Sequence, residues 1–147
     1  IIRILSLDGI TAYSIVTFMI LVFSNDIFAY VFGRLFGRNN KGILKASPKK
    51  SIAGFVGGFL SSIGMSLALF ALLGDNLPSF GIAWQILLGA AMSISANIGD
   101  LIESVFKRSA GVKDSGNIIP GRGGVLDSMD SLISAAPIFF ILFSVGL

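Results

Sequence analysis

Neither cysteine nor histidine occurs among the 147 residues. Their absence excludes a disulfide framework, a zinc centre of thiolates or imidazoles, a Ser-His-Asp or Cys-His pair, and a phosphohistidine intermediate. Charge is scarce too, at 13% of residues, against about 25% in soluble domains. That is too little to dress a water-facing surface. With 54% hydrophobic residues and a mean hydropathy of +0.87, disorder, coiled coil and collagen-like classes are excluded as well. The first residue is Ile1, not methionine, which predicts an upstream part and leaves the question of a signal peptide open. The length fits one domain.

What is present is apolar runs of membrane-crossing length. About 20 apolar residues in a helix span the roughly 30 Å hydrocarbon core. Ile52 to Leu73 and Phe80 to Gly99 carry no charge at all. A further run fills the C-terminus around Pro137, and another covers roughly Ile10 to Phe32, with Asn25 and Asp26 inside it. The reading is an all-α, polytopic integral membrane protein with about four transmembrane helices, at 10–33, 52–73, 80–99 and 128–147. It treats 1–147 as a single membrane-embedded domain.

Lys and Arg placement sets the expected orientation. Arg34, Arg38, Lys41, Lys45, Lys49 and Lys50 lie between the first two spans, and Lys107, Arg108, Lys113 and Arg122 between the last two. Arg3 is the one basic residue elsewhere. Both loops are therefore expected in the cytoplasm. The aromatic residues lie in the apolar runs rather than among the lysines, so nucleic acid is not an expected partner.

Five of the eight acids, Asp100, Glu103, Asp114, Asp127 and Asp130, fall in one of those loops. Asp100 and Glu103 are three residues apart, as are Asp127 and Asp130, so on helices each pair shares a face. Two such ladders at adjoining helix ends suit a hard cation: Mg²⁺, Mn²⁺ or Ca²⁺. The alternative is structural, with Asp127 or Ser128 capping the last helix and Glu103 pairing with Lys107 on the surface. Ser47 and Pro48 suit an N-cap and first helical position for the second span, which would aim an anion site at Lys49 and Lys50.

These residues resemble a known signature. Ser104-Val105-Phe106-Lys107-Arg108, then Lys113-Asp114-Ser115-Gly116, then Ile119 to Asp130 (IPGRGGVLDSMD) is similar to the pattern of phosphatidate cytidylyltransferases, also called CDP-diacylglycerol synthases. Asp26, Ala29-Tyr30, Gly33-Arg34, Gly37, Ser47 to Lys50, Gly54 and Gly99-Asp100 extend the likeness over residues 24–131. Arg122, Ser128 and Ala53 depart from it, where the family has histidine, arginine and glutamate. Family members are longer, and the likeness is to their C-terminal half.

The resemblance implies Mg²⁺-dependent condensation of CTP with phosphatidate to CDP-diacylglycerol and pyrophosphate, at the cytoplasmic face of a bacterial inner membrane. It implies Asp100 and Asp127 as the leading metal ligands, with Asp130 and Glu103 beside them and room for a second metal ion. Lys107, Arg108 and Lys113 would hold CTP phosphates, Ser104 and Arg122 would assist, and Lys49 and Lys50 would receive lipid phosphate or nucleotide. A homodimer is compatible with it. Rival readings keep CTP but change the lipid, as in ether-lipid cytidylyltransferases or polyprenol kinases, or make the chain a non-enzymatic transporter half.

Overall fold

A computed structural model describes residues 11–38, 42, 47, 50–73, 81–112, 114–116 and 124–145. Among these, four helices occur: α1 (Thr11–Phe36), α2 (Ile52–Leu73), α3 (Ile82–Ser109) and α4 (Leu126–Val145). Helix is what an apolar run must adopt in lipid, because every backbone polar group finds its partner within the segment. Three of the four are long and apolar enough to cross a membrane, and α4 carries a shorter apolar stretch, Met129–Ser144. The chain is a polytopic, all-α membrane protein.

The helices run up and down, each packing on the next, with α1 also touching α3 and α4. The α1–α2 and α3–α4 connections thus share one end of the bundle. The core joins Phe18, Leu21 and Val22 of α1 to Leu88, Met92 and Ala96 of α3 and to Ala135, Phe139 and Phe143 of α4. Helix α2 brings small residues instead: Gly54, Gly57, Gly58, Ser62 and Ser66 are all buried. Small residues let helices approach where lipid supplies no hydrophobic drive for association. Serines complete the seams. Ser95 Oγ donates to Ser134 O at 2.8 Å and Ser134 Oγ to Ser95 O at 3.0 Å, across α3 and α4. Ser66 Oγ donates to Gln85 Oε1 at 3.1 Å, across α2 and α3. Large side chains such as Phe23, Ile27, Leu60, Leu72, Ile94 and Ile141 face outward. An interior that joins an apolar cluster to buried glycines and serines, beneath a large-residue apolar exterior, suits lipid rather than water.

Two boundaries differ from expectation. Helix α3 continues ten residues past Gly99, to Ser109. Charge ends the apolar run at Asp100, but Leu101 to Ser109 contains neither glycine nor proline, so the backbone has no reason to stop. It stops at Gly111, whose φ of 72° only glycine adopts without strain. There Val112 N–H donates to Lys107 O and Gly111 N–H to Arg108 O, at 2.9 and 3.1 Å, forming a Schellman end.

The second difference concerns α2. Its N-cap is Ser51, not Ser47: Ser51 Oγ accepts from Gly54 N–H at 3.1 Å, and Ser51 O accepts from Phe55 N–H at the same distance. Ser47 O instead accepts from Lys50 N–H, closing a turn before the helix. The helix expected to begin on Pro48 thus begins at Ile52, and Pro48 itself lies outside the described residues.

Candidate metal and phosphate site

The extension of α3 carries Asp100 and Glu103 on one face, three residues apart as the helical repeat requires. The first turn of α4 brings Asp130 against them. One carboxylate oxygen from each of Asp100, Glu103 and Asp130 lies within 4.8 Å of the others. Glu103 is only 7% exposed, and its Oε1 has no hydrogen-bond partner. Its counter-charge is Lys107, one turn along α3, with Nζ 3.2 Å from Oε2. Three buried or half-buried carboxylates this close repel one another unless a cation stands among them. The unpartnered, buried Glu103 Oε1 in a set of hard carboxylate donors fits a divalent ion such as Mg²⁺.

Asp127 has a different place. Its Oδ1 accepts from Lys107 Nζ at 2.5 Å, and its Oδ2 accepts from Ser115 N–H and O–H at 2.8 Å each and from Gly124 N–H at 2.6 Å. Both oxygens are thus engaged, and neither belongs to the group of three. Burial works against ionisation of this carboxyl. Lys107, the Gly124 and Ser115 amides and the Ser115 hydroxyl outweigh it and hold the group well below the ordinary carboxylate range. The residue fastens the α3–α4 connection at both its ends, and these donors all lie outside α4.

Lys50 enters from the turn before α2. It pairs with Asp100 Oδ2, and its Nζ lies 5.3 Å from the centre of the Phe55 ring. Burial pushes its ammonium below the usual lysine range, against the opposing pull of Asp130 and Asp26. Asp26, on α1, is exposed and interacts with the charges of Asp130 and Lys50. It is held from the side by Asn25, fully buried, whose Nδ2 donates to Asp26 Oδ1 at 3.1 Å. Asn25 Oδ1 accepts in turn from Ser93 Oγ at 2.6 Å and from Asn97 Nδ2 at 3.3 Å. Asp26, Lys50, Asp100, Glu103, Lys107, Asp127 and Asp130, drawn from four parts of the chain, thereby meet at one end of the bundle.

The cytidylyltransferase family model matches residues 3–145. The chain belongs to the cytidylyltransferase family. It is 40% identical over 136 residues, 92% of its length, to a phosphatidate cytidylyltransferase of Staphylococcus haemolyticus (strain JCSC1435), of which it covers 50%. It is 39% identical over 146 residues to one of Rickettsia bellii (strain RML369-C), covering 94% of this chain and 61% of that one. A 42% match over 117 residues, 80% of this chain and 38% of the other, is to Uncharacterized protein YnbB of Escherichia coli (strain K12). The chain spans about half the length of the curated relatives it matches.

Of the residues expected from the sequence, the structure brings together Asp100, Glu103, Asp130 and Lys50, and places Lys107 between Glu103 and Asp127. Asp100, expected to pair with Asp127, groups instead with Glu103 and Asp130, while both Asp127 oxygens are engaged by Lys107, Ser115 and Gly124. Ser104 follows Glu103 on α3 and is half-buried, and Arg108 is exposed. Lys49, Lys113 and Arg122 lie outside the described residues, as does the side chain of Ser128. Sequence reasoning missed Ser93 and Asn97, and gave Ser115 no role of its own within the signature. The first two stand at i and i+4 in an apolar run, a spacing that puts two polar groups on one buried face.

Proposed function

We propose that this chain is the membrane-embedded catalytic domain of a phosphatidate cytidylyltransferase, forming CDP-diacylglycerol and pyrophosphate from CTP and phosphatidate. The observation that carries this reading is the convergence of Asp100, Glu103 and Asp130 with Lys50 and Lys107 at a membrane-helix end. A nucleotidyl transfer between two polyanions needs those groups and little else. The nucleophile is the phosphate of the lipid itself. Its oxygen forms a bond to the α-phosphorus of CTP while the bond to the bridging oxygen of the β-phosphate breaks, and that oxygen leaves on pyrophosphate. No protein nucleophile or imidazole is called for, which suits a chain lacking histidine and cysteine.

Asp100, Glu103 and Asp130 would hold Mg²⁺, which supplies charge neutralisation for the reacting and leaving oxygens. Arg108 and Lys113 would bind nucleotide phosphates, with Ser104 and Arg122 nearby in the signature, while Lys49 and Lys50 would receive the lipid phosphate or the nucleotide. Lys107, kept in place by Asp127, lends positive charge to the same pocket. Asp127 is the anchor of the loop that carries these groups rather than a ligand. The basic connections favour a site facing the cytoplasm, at a bacterial inner membrane. A homodimer is compatible with this arrangement.

The test is CTP-dependent formation of CDP-lipid by the purified full chain in detergent, with and without Mg²⁺. Label from α-labelled CTP should appear in the lipid and label from γ-labelled CTP should not. The reverse pattern would mean kinase chemistry. Asp100→Asn should lower Mg²⁺-dependent turnover at least a hundredfold while the protein keeps its melting behaviour, and turnover like the parent would remove Asp100 from the metal site.

A further inference from the structure

Two cations already stand within the carboxylate group, and they are held differently. Lys107 bridges Glu103 Oε2 and Asp127 Oδ1, at 3.2 and 2.5 Å, and Asp127 is itself tied by three further donors. Both the lysine and its acid belong to a fixed frame. Lys50 has no such frame. It stands in the turn before α2, its side chain is 27% exposed, and its ion-pair partner is Asp100. Beside it lies the face of Phe55, a second resting place for an ammonium group.

Charge shows why this matters. Five carboxylates, Asp26, Asp100, Glu103, Asp127 and Asp130, surround these two lysines. Ionised, they leave three negative charges uncompensated. A divalent ion is attracted to that excess, yet Lys50 occupies an oxygen of Asp100, one of the three carboxylates close enough to share it. An ammonium and a divalent cation on one carboxylate repel each other, and the weakly held one must move.

We propose that Lys50 is an exchangeable internal counter-ion: it neutralises Asp100 until a divalent cation takes the carboxylates, and its displaced ammonium then becomes available to a phosphate group. The metal thereby prepares the anion site, so that cation precedes phosphate in loading. This rests on the proposed function to the extent that a divalent cation binds Asp100, Glu103 and Asp130.

The experiment uses Mn²⁺ alone, without nucleotide, titrated into the purified full chain in detergent and followed by the loss of the free-ion EPR signal. Lys50→Met should bind Mn²⁺ roughly tenfold more tightly than the parent, because a competitor has been removed. In the parent chain, acetylation of Lys50 by a water-soluble reagent, quantified by mass spectrometry, should rise severalfold on adding Mn²⁺, while Lys107 stays unreactive. This second measurement stands even where the variant fails to fold. Unchanged or weaker Mn²⁺ binding by Lys50→Met, or Lys50 labelling indifferent to Mn²⁺, overturns the exchange while leaving the metal site intact. Absence of Mn²⁺ binding by the parent itself overturns the metal reading, and the exchange with it.

Discussion

Gly99 of α3 lies against Ser134 of α4 so closely that a β-carbon on the glycine would overlap both Cβ and Oγ of the serine. The same β-carbon would stand 3.1 Å from the carbonyl oxygen of Asp130. Gly99 therefore sets the distance between the helix that bears Asp100 and the one that bears Asp130. Gly99→Ala should destabilise the chain by about 1–3 kcal/mol through overpacking, and should weaken Mn²⁺ binding by spreading the carboxylates. Ser134→Gly in that background should restore part of both, as neighbouring sites couple. Thermal melts and Mn²⁺ titrations of the two single variants and the double would check it, and simple additivity would count against the contact.

The anchorage of Asp127 has a defined pH dependence. Its folded pKa lies below the unfolded value of about 3.9. A depressed carboxyl pKa contributes stability that is fully present above the unfolded value and is lost as pH falls through the folded one. Hydrogen exchange at the Ser115 and Gly124 amides should therefore show constant protection, after correction for intrinsic rates, from pH 7 to about pH 4.5. Asp127→Asn should remove that protection at every pH and cost about 2 kcal/mol, the order of a charged hydrogen bond. Loss of protection in the parent between pH 7 and 5 would contradict the assignment.

Asn25 holds Asp26 with one hand and Ser93 and Asn97 with the other. Asn25→Leu should remove those bonds, costing about 1–2 kcal/mol, since hydrogen bonds within membranes average about 0.6 kcal/mol each. Turnover should fall further than the stability loss explains, because Asp26 is released beside Lys50 and Asp130. Comparing the variant with Ser93→Ala, which leaves the Asn25–Asp26 bond in place, separates the two effects. Equal losses of turnover would make the network merely structural.

The cap on α2 offers a milder perturbation. Ser51→Ala should cost about 1 kcal/mol and Ser51→Asn a few tenths at most. Because Lys50 is its neighbour, a frayed first turn should also raise the apparent KM for CTP. Circular dichroism melts and steady-state kinetics measure the two separately.

Much of this architecture is legible in the sequence, for identifiable reasons. Apolar runs of about 20 residues announce α2 and most of α1 and α3, because the hydrocarbon thickness leaves few alternatives. The continuation of α3 to Ser109 was hidden, since charge ends a membrane span without ending a helix. Spacing found the Asp100–Glu103 and Asp127–Asp130 ladders, but nothing in a linear pattern reveals that Ser115, Gly124 and Lys107 close on Asp127. Lys50 and Asp100 are fifty positions apart, and only packing of the turn before α2 against α3 joins them. A lysine expected to await phosphate turns out to sit on a carboxylate.

The length of α3 also fixes a depth. At 1.5 Å per residue, Asp100 stands about 27 Å along the axis from Ile82, close to the full hydrocarbon thickness of about 30 Å. Set across a bilayer from Ile82, a helix of that length would bring the acids near the inner edge of the hydrocarbon, within reach of the lipid phosphate of the proposed reaction. Bilayers of longer acyl chains would drown that layer in hydrocarbon, so acyl length should tune the proposed activity through immersion as well as through recognition.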